Sequence, residues 1–100
     1  DMRSWSAENI KVVPNPYVVY SNQANNSLRF IHLPRKCTIT IYTVSGEFVN
    51  VIKHDDEIDG EHSWNLKNKH GYDVAPGLYI YRIVEKETDL EVIGKFAVVR

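Results

Sequence analysis

The chain has 100 residues, with 12 Lys and Arg against 13 Asp and Glu and a hydrophobic content of 43%. That length suits one domain with a small core, and the composition is that of a folded domain rather than a disordered segment. A formal net charge of −1 leaves no basic footprint for nucleic acid or anionic membrane, no run is apolar enough for a transmembrane helix, and one cysteine excludes an internal disulfide framework.

Residues 1–9 read as an upstream linker and 10–100 as the domain. Asp1-Met2-Arg3-Ser4 lacks the apolar core of a signal peptide, so any export signal is expected upstream. Pro14 and Pro16 fix φ near −65° and remove two backbone donors, while Asn15, preceding a proline, is pushed to extended geometry. Val13 to Tyr17 therefore cannot join a central strand. It suits a stiff edge segment that switches between sheets, or equally a rigid turn.

Tyr20 to Ser27, rich in Asn and Ser, reads as an exposed loop. Ser27 to Leu33 is a short apolar-rich run stopped by Pro34. Cys37 to Val44 alternates, with Cys37, Ile39 and Ile41 on one face and Thr38, Thr40 and Tyr42 on the other. Ser45-Gly46-Glu47 reads as a tight hairpin turn and Glu47 to His54 as the returning strand. Asp55 to Gly60 is an acidic loop, Glu61 to Leu66 a short strand carrying Trp64, and Lys67 to Asp73 a polar turn.

Pro76-Gly77 is a turn pair in which Gly77 is free to take positive φ. Gly77 to Glu85 is apolar on both faces, as a central strand would be. Tyr79 is expected as a core ring whose hydroxyl reaches the sandwich edge. Lys86 to Asp89 turns the chain, and Leu90 to Val99 closes it, with Phe96 and Val98 on one face and Lys95, Ala97 and Val99 on the other. Strand-like runs punctuated by turns, with no helical stripe, predict an all-β, immunoglobulin-like antiparallel β-sandwich of about seven strands. Its expected core includes Phe30, Ile39, Ile41, Trp64, Leu78, Ile80 and Phe96.

The order of these signals is familiar. It runs Val12-Val13-Pro14-Asn15-Pro16-Tyr17, Phe30 with Leu33-Pro34, Ile39 to Glu47, Gly60 ahead of Trp64-Asn65, Gly71 to Tyr79, and Gly94 to Arg100. From about Ile10 to Arg100 the chain resembles the C-terminal sorting domain of type IX secretion, and also the immunoglobulin-like domain of the flagellar hook-capping protein. The hook-capping pattern has glycine where Leu66 follows Trp64-Asn65; the basic closing strand Lys95 to Arg100 favours the sorting family. That resemblance implies a non-catalytic C-terminal module of a larger secreted or cell-surface protein, exported through the periplasm and recognised by the secretion machinery. It places the recognition signal near Lys95, Val98, Val99 and Arg100, and marks Pro14, Asn15, Pro16, Gly46, Trp64, Gly77 and Tyr79 as structural motif positions. A structural spacer orienting neighbouring domains is the competing expectation, and a sugar-binding module the third.

Other chemistry is thin in the residues themselves. His32, His54, His62 and His70 lack the paired short spacing of a zinc site, although His54 and His62 could face each other across a hairpin. Asp55, Asp56, Glu57, Asp59 and Glu61 offer oxygen ligands in one loop without the calcium-loop spacing, so a solvated turn is expected. Ser27, Ser45 and Ser63 lack a nucleophile elbow, and no glycine-rich loop cradles phosphate. Cys37, in phase with Ile39 and Ile41, is expected as a buried structural thiol. Trp5, Trp64, Tyr17, Tyr20 and Tyr72 are the candidates for an aromatic sugar platform. The expectation is no enzyme activity, no cofactor, no metal, no nucleic-acid partner and no membrane insertion, with a monomeric isolated domain.

Overall fold

A computed structural model describes residues 9–19 and 26–99. Within them lie eight strands: β1 (Lys11–Val13), β2 (Tyr17–Val18), β3 (Leu28–Ile31), β4 (Lys36–Thr43), β5 (Phe48–Asp55), β6 (His62–Trp64), β7 (Gly77–Glu85) and β8 (Glu91–Val99). They form a three-stranded sheet in the order β1-β3-β6 and a five-stranded sheet in the order β2-β8-β7-β4-β5. The expected all-β sandwich is observed, with eight strands where about seven were expected. The short proline-flanked β2 carries no alternation from which two residues could be recognised as a strand.

The longest strands are those whose residues pack well on a pleat. β4 places Cys37, Ile39 and Ile41 inward and pairs with β5 on one side and β7 on the other. Its hairpin to β5 closes around Gly46, at φ 96°, where a side chain would be strained. Gly46 N donates to Thr43 O at 2.9 Å and Thr43 N to Glu47 O at 2.8 Å, so the turn satisfies its own backbone.

The entry segment switches sheets. β1 is an edge of the three-stranded sheet and β2 an edge of the five-stranded one, with Pro14, Asn15 and Pro16 spanning the gap. Proline on both sides of Asn15 keeps the link out of either ladder, as its missing donors require. One expectation is corrected here: β2 pairs with β8 in parallel, so the sandwich is not wholly antiparallel.

Phe96 is the hub of the core between the sheets. Its ring stacks on Tyr79 at 5.5 Å and meets Trp64 edge-on at 6.0 Å and Phe30 edge-on at 6.4 Å. Phe30 also meets Tyr81 edge-on at 5.6 Å. Phe30 and Trp64 come from the small sheet and Phe96, Tyr79 and Tyr81 from the large one, so both sheets share one aromatic cluster. Ile39, Ile41, Ile83 and Val98 fill the space around it, all with at most 1% of their surface exposed.

Leu78 and Ile80 are corrections to the expected core. Leu78 is 52% exposed and Ile80 half-buried, while Tyr79, Tyr81, Ile83 and Glu85 point inward. An all-apolar strand carries no parity of its own. The register does: Ile41 lies opposite Tyr81, Ile39 opposite Ile83 and Cys37 opposite Glu85, which puts the odd-numbered residues of β7 on the core face. The buried Glu85 carboxylate is used by the turn that follows, accepting from Glu87 N, Thr88 N and the Thr88 hydroxyl.

Candidate partner-recognition site

β8 has the expected alternation. Phe96 and Val98 are buried, Lys95 and Val99 are exposed and Ala97 is half-buried. Across the ladder Leu78 sits opposite Ala97, Ile80 opposite Lys95, and Gly77 opposite Val98. Together Pro76, Gly77, Leu78, Ala97, Val98 and Val99 line an open groove of about 500 Å³ on the outer face of the large sheet. Val18 of β2 pairs with Val99 beside it and is itself exposed. Lys95, exposed and opposite Ile80 in the ladder, lies two residues along β8 from Ala97 and brings a point charge on a flexible stem to this part of the sheet. Arg100 lies outside the described residues.

Gly77 opens the groove. Its φ of 155° lies where a side chain is strained, and a Cβ there would meet no neighbouring atom, so backbone conformation rather than space is what calls for glycine. The two-faced strand after it delivers Leu78 outward and Tyr79 inward. The Tyr79 hydroxyl donates to Ala75 O just before the turn, as the sandwich-edge reading anticipates, and burial raises its pKa above the ordinary value. Trp64 is in the core, its indole Nε1 donating to Lys67 O at 3.1 Å.

The closing strand does not offer its backbone for strand addition at its end: Tyr17 pairs with Val98 and Val18 with Val99, and Val19 N donates to Val99 O at 2.8 Å. Two residues before β2, Asn15 acts as a side-chain substitute for a strand partner. Its Nδ2 donates to Lys95 O at 3.4 Å and its Oδ1 accepts from Ala97 N at 3.2 Å. The outward backbone of Lys95 to Val99 is thus largely satisfied within the domain. What remains for a partner is the side-chain face formed by Lys95, Ala97, Val99 and Leu78.

Pro14, Asn15 and Pro16 stand as motif positions in the sequence, yet the capping role of Asn15 needs the three-dimensional return of β8 to become visible. Leu78 belongs to the groove rather than to the core. Gly94 opens the closing segment of the family pattern without a role legible there; it lies opposite Tyr81, and a Cβ there would overlap the tyrosine ring.

The remaining candidates separate. Trp64 and Tyr17 are buried and Tyr72 is exposed, so these three share no platform; Trp5 and Tyr20 lie outside the described residues. The acidic loop spends its carboxylates locally: Asp56 Oδ1 accepts from Ile58 N and Asp59 N, Asp59 Oδ1 accepts from Glu61 N, and Glu57 and Glu61 pair with Arg35 and Arg29. Among the described residues no three His, Cys, Asp or Glu side chains converge as a metal-binding group. Cys37 is buried, as its phase with Ile39 and Ile41 implies.

No family model matches the chain, and no curated protein does. Solved structures share its fold. PorZ of Porphyromonas gingivalis, described as an essential bacterial surface component of the type IX secretion system, is similar over 93% of this chain, with TM-score 0.75 and 22% identity. Dimeric latent PorU of the same organism is similar over 90%, with TM-score 0.63 and 25% identity. This chain spans 12% of the PorZ chain and 9% of the PorU chain, so the likeness concerns one small unit within much larger proteins.

Proposed function

We propose that this domain is a non-catalytic sorting module of type IX secretion, recognised by the export machinery through the side-chain face of its closing strand. The likeness to a unit of PorZ, a surface component of the type IX secretion system, carries the reading. The exposed face supplies the means: Leu78, Ala97 and Val99 offer an apolar strip and Lys95 a cation to orient a partner. Burial of apolar surface gives most of the affinity in such contacts, and the charge gives register and on-rate. Val98, expected near the signal, packs in the core and is not part of that face; Arg100 adds a second cation in the sequence. The module acts on the cell surface or outside it, after passage through the periplasm.

The test changes charge on that face without touching the core. A reporter is fused upstream of the domain and expressed in a host with type IX secretion, with Lys95→Glu and Arg100→Glu introduced together. Circular dichroism is expected to show a folded domain, and the reporter to stay in the periplasm. Normal export of the folded double variant removes these cations from the signal. No export by the unsubstituted domain removes the sorting role.

A structural spacer is the second reading, favoured by one observation: in both neighbours the fold occupies about a tenth of a much longer chain. Under it the same groove packs against an adjoining domain, and the reporter is not exported even without substitutions.

A further inference from the structure

The five-stranded sheet ends laterally in β2 and β5. β2 is two residues long and follows Pro16, so it leaves little ladder to extend. β5 is eight residues long, and the bonds of its neighbour β4 show which of its backbone groups face outward. Lys86 N donates to Lys36 O at 2.9 Å, whereas Thr43 N donates to Glu47 O and Asp56 N to Arg35 O. Even-numbered residues of β4 therefore bond toward β7 and odd-numbered ones toward β5. Because Cys37 lies opposite His54 and Ile39 opposite Ile52, those two residues of β5 turn their backbone toward β4. Val51, Lys53 and Asp55 turn theirs away from the sheet.

The first half of that edge is closed by the domain itself. Val49 O accepts from Lys69 N at 2.9 Å, Asn50 Nδ2 donates to Lys67 O at 2.9 Å, and Val51 N donates to Asn50 Oδ1 at 2.8 Å. Past Val51 the cover ends. Among the described residues the outward N–H and C=O groups of Lys53 and Asp55 have no partner. Both residues are exposed, and neither makes an ion pair among the described residues, although Lys36 lies across the ladder from Asp55.

We propose that this open edge pairs with the same edge of a second copy of the chain, antiparallel about a two-fold axis at His54. Lys53 then lies opposite the second copy's Asp55, and Asp55 opposite its Lys53. All four backbones face the seam, so each pair exchanges both of its N–H···O bonds. On the outer face the same pairings set each ammonium beside a carboxylate. An antiparallel partner shifted by two residues would oppose Lys53 to Lys53 or Asp55 to Asp55, so the charges select the register. A lysine at a sheet edge ordinarily discourages pairing. Here Asp55, two residues on and on the same face, makes the pattern self-complementary. The turn held by Asp56 Oδ1 follows, with Ile58 91% exposed, and pairing about His54 carries it toward the second copy's Val51, itself 43% exposed. The contact is small, so association is weak and grows with concentration. The face of β8 proposed for the export machinery lies beyond β7 and β4 and stays open.

The test is sedimentation velocity of the chain from about 10 µM to about 1 mM at low salt, where charge pairs are least screened. The unsubstituted chain is expected to move from monomer toward dimer across that range. Lys53→Asp or Asp55→Lys alone is expected to weaken the dimer about tenfold or more, because each reversal opposes like charges at both pairings. Lys53→Asp and Asp55→Lys together restore opposite charges and the dimer. The proposal is overturned by a chain that stays monomeric at the highest concentration, by single variants that dimerise like the unsubstituted chain, or by a double exchange that does not restore association. Should a variant not fold, amide hydrogen exchange in the unsubstituted chain decides. Slowing at the Lys53 and Asp55 amides as concentration rises supports the pairing; no slowing at those two amides overturns it.

Discussion

At the residue scale, Gly94 and Glu85 show how little of a side chain's role lies in its own identity. Gly94 is needed because Tyr81 lies directly across the ladder with its ring over the glycine. Gly94→Ala forces the ring or the strand to shift, and overpacking of this kind costs about 1–3 kcal/mol. Urea unfolding is expected to show that loss, and Tyr81→Val is expected to absorb part of it, because neighbouring sites do not add. Glu85 is a buried carboxylate held below its ordinary pKa, first by the Thr88 hydroxyl, then by the backbone N–H of Glu87 and, less strongly, of Thr88, with burial opposing. A depressed carboxylate contributes stability that is present above its unfolded value of 4.5 and lost as pH falls through the folded one. Thr88→Val removes the largest cause. The Glu85 carboxyl, followed by carbon NMR, is expected to titrate closer to the ordinary value, and the variant to lose less stability than the unsubstituted protein on going below pH 4.5.

At the scale of elements, the proline-flanked entry and the closing strand act as one unit. β2 covers the end of β8, and Asn15 extends that cover by two hydrogen bonds where proline prevents a regular ladder. Each such bond contributes about 0.5–1.5 kcal/mol net. Asn15→Ala is expected to lower stability by about 1–2 kcal/mol and to speed hydrogen exchange at the Ala97 amide, with little change at Ile83 in the sheet centre. Equal acceleration at both amides would mean global destabilisation rather than an uncapped edge. The uncapped variant also exposes backbone that the native domain hides, so the entry segment protects the same strand that the proposed partner reads.

At the scale of the molecule, the two sheets are joined by one aromatic cluster, so they are expected to unfold together. Phe30 is fully buried and touches Tyr81 and Phe96 across the gap between sheets. Phe30→Ala is expected to cost about 3–5 kcal/mol, a large share of the roughly 5–15 kcal/mol that holds a domain folded. Near-ultraviolet dichroism and amide signals from both sheets are expected to be lost in a single transition. Loss of the β1-β3-β6 signals ahead of the others would show that the small sheet is a separate cooperative unit.

Much of this was legible in the residues. Alternation fixed the inward face of β4 and β8 and thus the burial of Cys37, Ile39, Ile41, Phe96 and Val98, because a period of two assigns a face without knowledge of the partner. Turn chemistry located Gly46 and Gly77, and the paired prolines kept residues 13–17 out of a central strand while leaving a sheet switch and a rigid turn equally open. The face of β7 was not legible, since a strand apolar on both sides becomes oriented only through its register with β4; Leu78 moved from core to groove for that reason. Nor was the cover over the closing strand, which depends on residues 15 and 95–97 meeting across some eighty positions of sequence. Local pattern specifies what a segment can be, through periodicity and backbone freedom. Which of its edges and faces is left for a partner is decided by long-range pairing, which buries one side, caps another and exposes the remainder.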